Sequence, residues 1–459
     1  MSKLEQIQLK GFKSIRDIDL ELRHLNILIG ANGAGKSNFI HFFRLMNKLV
    51  QQDLQFFVAQ QGGIDCFLHF GRQVTDAIEI VLLFKYNHYV CRLVPDQTGQ
   101  LIFKEEYCEW LTDLMDEPNR FKKQALASGG DKESGLSKKS IANQITDYLS
   151  DWQIYHFHDT SDTAKVKQSG SIYDNERLRP QADNLAAFLF SIQQTEQYRK
   201  IVQTIQRVAP FFQDFILKPE KTAPEHIRLR WKHRGTDDYF DANALSDGTL
   251  RFICLTTLLL QPSLPLLILL DEPELGLHPY AMQLLAGMMR SAAQKTQIIA
   301  SSQSVTLANQ FEWPDLLIIE SVDNASQFKR LSEEQIKVWL DEYRIGDLWE
   351  KNLIGGIMLR IGISVEGATE REFINQLIMP YLSERDILIT PITMNGNISL
   401  DRIRHELLPL LGSFDIVTTF YDLYGFKRRH GQNAEQLEQK ILELVDMRRQ
   451  RRLIPYIQP

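Results

Sequence analysis

Near its amino terminus the chain reads GANGAGKS, from Gly30 to Ser37, a match to G-x-x-x-x-G-K-[S/T]. Such a loop works only where a strand delivers it and a helix begins inside it, because its backbone N–H groups must curl around an anion at the helix N-terminus. Both flanks comply. Leu25 to Ile29 is apolar, and from about Lys36 a helical period sets Phe39, Ile40, Phe43, Leu45 and Met46 on one side. Gly30, Asn32, Gly33 and Gly35 are expected to shape a cradle for ATP, with Lys36 on the phosphates and Ser37 on Mg²⁺. A glycine turn that binds nothing is the competing reading, and the flanking pattern weighs against it.

Two further elements belong with such a loop. The apolar run Leu266 to Leu270 reads as a buried parallel strand ending in Asp271-Glu272, where an aspartate can hold the magnesium shell and a glutamate can orient or deprotonate water. Leu245-Ser246-Asp247-Gly248-Thr249 precedes an apolar helix and by itself is a capped helix start. Between these motifs, Thr75 to Phe103 alternates as an antiparallel meander, Ala127 to Lys139 reads as a mobile surface loop, and Asn184 to Ile205 is helical. A helix from about Tyr280 and a strand at Gln297 to Ser301 continue the alternation of an α/β sheet. Lys plus Arg number 52 against 58 Asp plus Glu, a net charge of -6, so any nucleic-acid contact must come from local patches. Cys66, Cys91, Cys108 and Cys254 show no paired spacing. No signal peptide is visible, and no apolar run approaches the roughly 20 residues that span a bilayer. A cytoplasmic protein without a membrane segment is expected.

The three motifs in this order resemble the ABC-type ATPase heads of the SMC and RecF group. That resemblance implies that Ser246 and Gly248 meet the γ-phosphate held by a partner head, so that ATP closes a homodimer or higher oligomer. With YHFHDTS (Tyr155 to Ser161), LSDGTLRF (Leu245 to Phe252) and DEPELGLHP (Asp271 to Pro279), the chain looks similar to ATPases of the overcoming-lysogenisation-defect (OLD) type. Where the wider group has a switch histidine, this chain has Gln303, which hydrogen-bonds but carries no proton. Gln60 and Gln61 are candidates for the Q-loop glutamine. His156 and His158 read as structural or as ligands, with no acid or cysteine cluster beside them in sequence.

A second β/α alternation starts after Gly355-Gly356, with strands Ile361 to Val365, Ile387 to Met394 and Asp415 to Tyr421 and helices Glu370 to Ser383, Leu400 to Leu411 and Ala434 to Arg449. Glu366 and Asp422 at strand ends, with Glu370 at a helix start, are candidate ligands of Mg²⁺ or Mn²⁺; solvated strand ends are the even alternative. VEGATE, MNGN (Met394 to Asn397) and FYDLYGF resemble a Toprim-like domain. The resemblance implies a nuclease in which Glu366 and Asp422 are catalytic, although Tyr424 replaces the second aspartate of D-x-D. Lys427, Arg428 and Arg429, and Arg448, Arg449, Arg451 and Arg452, are candidate contacts to DNA phosphates or ordinary solvated faces. Ile454 to Pro459 reads as the start of a further strand, so the domain is expected to be incomplete at its carboxyl end.

The expected plan is α/β: an ABC-type P-loop ATPase head over 1–355, with an antiparallel β subdomain and a helical insertion at roughly 104–240, then a small parallel-sheet Toprim-like domain over 356–459. The function implied is an ATP- and metal-dependent DNA endonuclease serving antiphage defence, in some relatives beside a retron reverse transcriptase and its DNA–RNA hybrid. Two other readings stay open: a nucleotide-gated scaffold or sensor that binds without cutting, and a RecF-like repair head.

Overall fold

The amino-terminal hairpin pairs β1 (Leu4–Phe12) with β2 (Ile15–Glu21), and β2 in particular buries every second or third residue. By contrast β3 (Leu25–Ile29) is buried at every position, the mark of a strand covered on both faces. The computed structural model describes residues 3–114, 117–138, 143–333, 336, 344–350, 354, 359–383, 387–394, 396, 398–426 and 431–459. Two units, Met1–Lys329 and Arg330–Pro459, each hold their own contacts. The expected boundary at Gly355-Gly356 lies outside the described residues.

In the first unit, β4 (Ile78–Phe84), β5 (Asn87–Pro95), β6 (Leu101–Leu114) and β7 (Glu117–Ala127) extend the hairpin into a six-stranded antiparallel sheet ordered β2-β1-β4-β5-β6-β7. After β8 (Trp152–Tyr155) come two small sheets. One pairs β9 (Gly170–Ser171) with β11 (His226–Ile227), and the other joins β10 (Phe212–Phe215), β12 (Arg230–His233) and β13 (Tyr239–Asp241). Last are β14 (Leu267–Asp271), β15 (Gln297–Ser302), β16 (Leu316–Val322) and β17 (Ala325–Lys329), which build a second six-stranded sheet ordered β17-β16-β3-β15-β14-β8. Only β17 runs antiparallel there.

Helix α1 (Lys36–Val50) is buried against both large sheets. Phe42 meets Phe12 of β1 with ring centroids 6.1 Å apart, and Phe43 meets Trp152 of β8 at 5.1 Å. Each fully buried phenyl ring contributes about 1.5–3 kcal/mol, so α1 holds the glycine loop to the core by its apolar side. Phe43→Ala, which would leave a cavity there, should cost about 3–5 kcal/mol.

The meander runs further than the alternation suggests, through β6 to Leu114 and β7 from Glu117 to Ala127, so the helices of the expected insertion begin only at Asn143. The stretch read as a mobile loop is tied down, a correction. The Glu133 carboxylate accepts from the backbone N–H groups of Leu54 and Gln55 at 3.0 and 3.1 Å, and buried Ser134 donates to Glu106 at 2.5 Å. Asn184 to Ile205 divides into helices Leu185–Ile192 and Glu196–Val208, because Thr195 caps the second through its hydroxyl.

In the second unit, β18 (Leu359–Val365), β19 (Ile387–Thr393), β20 (Ile416–Asp422) and β21 (Leu453–Ile454) form a parallel sheet ordered β19-β18-β20-β21, and β22 (Ile457–Gln458) also pairs with β20. Two short strands thus join the three expected. Ile363, Val365, Ile374 and Ile389 make its core. The helix expected through Arg449 stops at Glu443, with a separate turn at Met447–Gln450. Among the described residues, no helix is long and apolar enough to cross a membrane.

Candidate functional site

The register of the second sheet assembles the site. Ile29 of β3 pairs with Ser302 of β15, and Ser301 of β15 pairs with Asp271 of β14, so the loops after all three strands open at one edge. Gly30, Gln303 and Glu272 are the next residues along each chain. Leu270 of β14 pairs with Tyr155 of β8, which brings His156 to the same edge.

The glycine loop is buttressed from behind. A Cβ at Gly30 would meet the Ile319 carbonyl oxygen at 2.1 Å, and Gly35, at φ +114°, lies where a Cβ would strike Ser326. The Ser326 hydroxyl donates to the Ala34 carbonyl at 2.7 Å, and Asn38 donates to Ser14 at 2.8 Å. Lys36 is buried, its Nζ donating to the carbonyls of Gly30 at 2.6 Å and Ala31 at 3.0 Å. Burial lowers its pKa, while Glu272, Asp271 and Glu274 oppose that shift. Asn32, Gly33 and the Ser37 side chain face solvent, and a Cβ at Gly33 would meet nothing within 4 Å. This donor set fits a nucleoside triphosphate with a hard cation: N–H groups and an ammonium for phosphate oxygens, and the oxygens of Ser37 and Asp271 for Mg²⁺.

The acidic side is held by β15. Ser301 Oγ donates to Asp271 Oδ1 at 2.5 Å, and the Glu272 N–H donates to Ser301 O at 3.1 Å. Glu272 has φ +43°, a left-handed conformation that a non-glycine residue adopts at a cost of about 1–3 kcal/mol. Its carboxylate accepts from the Gln303 amide. Glu274, 6% exposed, accepts from Ser302 Oγ at 2.7 Å and from the Gln303 N–H at 2.9 Å, and burial raises its pKa. Ser246 is exposed and caps the helix Asp247–Leu260, accepting from the Thr249 N–H at 3.3 Å. A Cβ at Gly248 would meet the Gly276 carbonyl at 2.3 Å, so at this point the helix and the turn after Asp271 approach backbone to backbone.

His156 and His158 do have an acid beside them, contrary to the reading from sequence spacing. Their ring nitrogens and an Asp271 oxygen lie within 4.8 Å of one another, the only such trio among the described residues. Its hydrogen bonds are those of a clamp. His158 Nε2 donates to the Asp271 carbonyl at 2.8 Å, and Arg44 donates to His156 Nε2, which leaves the His156 proton on Nδ1, 3.9 Å from Asp271 Oδ2. Burial, then Arg44, lowers the His156 pKa to about 4, so at neutral pH the contact with Asp271 joins a neutral ring to a carboxylate.

Sequence reasoning also passed over Arg251. It is buried on the helix Asp247–Leu260 and donates to the carbonyls of Phe157 at 2.8 Å, His158 at 3.3 Å and Leu275. A charge inside the apolar run LRFICLTTLLL was the available signal. Gln60 and Gln61 are exposed at the end of the helix Leu54–Gln60, and no hydrogen bond among the described residues joins them to the cradle.

In the second unit Glu366 follows β18 and Asp422 ends the neighbouring β20, at one edge of the sheet. Burial, then Glu370, then Asp422 raise the Glu366 pKa, against a backbone hydrogen bond from Asp422 that lowers it. Glu370 turns back on its own helix, its Oε2 accepting from the Gly367 N–H at 3.0 Å. With Glu366 and Asp422 it forms no trio of oxygens within 4.8 Å. Asp422 Oδ1 accepts from the Tyr424 N–H at 2.8 Å, and the Tyr424 ring is exposed. Lys427, Arg428, Arg429, Asn395 and Asn397 lie outside the described residues, as does the Arg448 side chain. Arg449 pairs with Asp446 at 3.5 Å, Arg452 donates to the carbonyls of Phe414 and Asp415, and Arg451 is exposed.

Residues 2–128 match the family described as "AAA ATPase domain", and residues 109–309 match "AAA domain, putative AbiEii toxin, Type IV TA system". The first unit is an ATPase. In its fold a strand lies between the loop-bearing and acid-bearing strands, and a second, antiparallel sheet completes the unit. Residues 365–459 match a domain of unknown function, DUF4276. Among solved structures, the chain is similar to an Smc head bound to the C-winged helix domain of ScpA, at 14% identity over 73% of this chain and 99% of that one, with a TM-score of 0.46. The SMC head domain from Thermotoga maritima is 15% identical over 72% and 99%, with a TM-score of 0.35. An Smc head from Pyrococcus furiosus with an extended coiled coil, bound to the C-terminal domain of ScpA, is 14% identical over 74% and 99%, at 0.42. No curated protein matches the chain.

Proposed function

We propose that this ATPase is an ATP- and metal-dependent DNA endonuclease of the OLD kind, with a Toprim-like second unit. One observation carries the reading: Glu366 and Asp422 stand on adjacent parallel strands at one sheet edge, on the same chain as a complete set of nucleotide-handling residues. Bound ATP with Mg²⁺ supplies a cleavable phosphoanhydride and the divalent charge that steadies it. The chain's own residues do the rest. The loop N–H groups and Lys36 fix the phosphates, Asp271 and Ser37 hold the cation, Glu272 takes a proton from water, and the Gln303 amide keeps that carboxylate turned to the site. Exposed Ser246, with Gly248, offers a helix N-terminus to nucleotide on a second copy, so pairing of two chains is part of the proposal. Glu366 and Asp422 would hold Mg²⁺ or Mn²⁺ for phosphodiester cleavage. Antiphage defence and association with a retron reverse transcriptase rest on resemblance in the motifs alone.

A plasmid-nicking assay with ATP and Mg²⁺ or Mn²⁺ tests this. Wild type should nick, and Glu366→Gln and Asp422→Asn should not. Equal nicking by all three refutes the assignment, and no nicking by any of them favours a nucleotide-gated scaffold.

A further inference from the structure

We infer that Glu274 is a positioning residue of the ATPase site, holding the segment after β15 so that the Gln303 amide rests on Glu272. The inference deepens the ATPase reading and depends on it. A glutamate in a turn after a strand is ordinarily solvated, but Glu274 is 6% exposed and forms no ion pair among the described residues. Its two oxygens are used unequally. Oε1 accepts both the Ser302 hydroxyl at 2.7 Å and the Gln303 N–H at 2.9 Å, whereas Oε2 is buried without a partner. Leaving a carboxylate oxygen buried and unbonded costs free energy, and a residue chosen only to fill space would not incur it.

What the carboxylate gains is a fixed start for the next segment. Ser302 Oγ, while donating to Glu274, accepts from the Ser304 N–H at 3.0 Å, and Ser304 caps the short helix Val305–Ala308 by accepting from the Leu307 N–H at 3.2 Å. The Gln303 backbone is therefore held by Glu274 just before its side chain reaches Glu272. Gln303 itself is exposed, so nothing but this anchorage and its bond to Glu272 fixes its direction among the contacts described. Glu274 touches neither acid of the site through a hydrogen bond. It acts through Gln303.

The test is steady-state ATP hydrolysis by the full chain, with nucleotide affinity from a fluorescent ATP analogue measured in parallel. Glu274→Gln keeps the Oε1 acceptor and removes no hydrogen bond, so kcat should stay within about threefold of wild type. Glu274→Ala removes the acceptor, and kcat should fall by about tenfold or more while analogue affinity changes less than about twofold. Because Glu274 acts through Gln303, the double variant Glu274→Ala with Gln303→Ala should be no slower than the Gln303→Ala single variant. Multiplicative losses in the double variant, or Glu274→Ala at the wild-type rate, overturn the inference. Should Glu274→Ala fail to fold, Glu274→Asp retracts the carboxylate and keeps its charge. The same kcat loss with an unchanged melting temperature supports the inference, and full turnover sinks it. Wild type that hydrolyses nothing, like Lys36→Ala, would instead remove the ATPase reading beneath it.

Discussion

Arg251→Met is the sharpest probe of how the helix Asp247–Leu260 is joined to the acidic strand end Asp271-Glu272. Methionine keeps the aliphatic stem and deletes the guanidinium, so the carbonyls of Phe157, His158 and Leu275 lose their donors together. Hydrogen bonds to a charged group are each worth about 1.5–3 kcal/mol net, and two of these three are well formed. Against that stands the cost of burying a cation with no carboxylate bonded to it, which burial expresses as a lowered Arg251 pKa. The Leu275 carbonyl belongs to an exposed residue and can turn to water, whereas Phe157 is 8% exposed and its carbonyl stays orphaned. The balance is a loss of about 3 kcal/mol in the ATPase unit, or a fall of several degrees in melting temperature. Turnover should fall by about tenfold, since both loops freed by the change flank Asp271 and Glu272, while ATP affinity is kept by the intact glycine loop. Differential scanning fluorimetry and a coupled ATPase assay read the two effects. A variant that melts within a degree of wild type and hydrolyses ATP at the same rate would refute the coupling.

Lys36→Met preserves the buried stem but removes the ammonium from the cradle, and ATP affinity by isothermal titration should drop by about 1.5–3 kcal/mol, the worth of charge-assisted contacts. His41 lies between Phe57 and Phe67, and burial, then Lys13 and Arg44, lower its pKa from 6.5 to about 4. The unfolded chain therefore binds the extra proton first. Stability is full above the unfolded value, and up to about 3 kcal/mol is lost as pH falls from 6.5 to 4, a slope that His41→Phe should remove in pH-dependent urea melts. Gly425→Ala would set a Cβ 2.3 Å from Glu366 Oε2, displacing that carboxylate; nicking activity should be lost with the circular dichroism spectrum unchanged.

The glycine loop, the strand-end acids and the β/α alternation of the second unit could be read from the chain because each is local: a pattern within about ten residues fixes a strand end or a helix start. What stayed hidden is everything that depends on which strands become neighbours. His156 gains Asp271, 115 positions later, only because Tyr155 is in register with Leu270. Glu274 finds Ser302 and Gln303 only because β14 and β15 pair with Asp271 beside Ser301. Ala127 to Lys139 misled for the opposite reason. Small polar residues suggest a free loop, but Glu133 is spent as a remote cap on a helix far earlier in sequence.

The interposed position of β15 sets the segment after it beside both the glycine loop and the acidic strand end. In a parallel sheet every loop after a strand leaves at the same edge, so the loop after the middle strand borders both neighbours. Gln303 thus follows the strand that lies between the cradle of β3 and the acids of β14. Its amide is bonded to Glu272 and its backbone to Glu274, two groups of one turn, so the turn after β14 and the segment after β15 are tied at two points. On the ATPase mechanism proposed above, a residue placed in this way would act by orienting Glu272 rather than by proton transfer. Replacing Gln303 with histidine should therefore leave the profile of kcat against pH as in wild type, and a new limb near the ordinary histidine pKa would show that proton transfer at this position limits turnover after all.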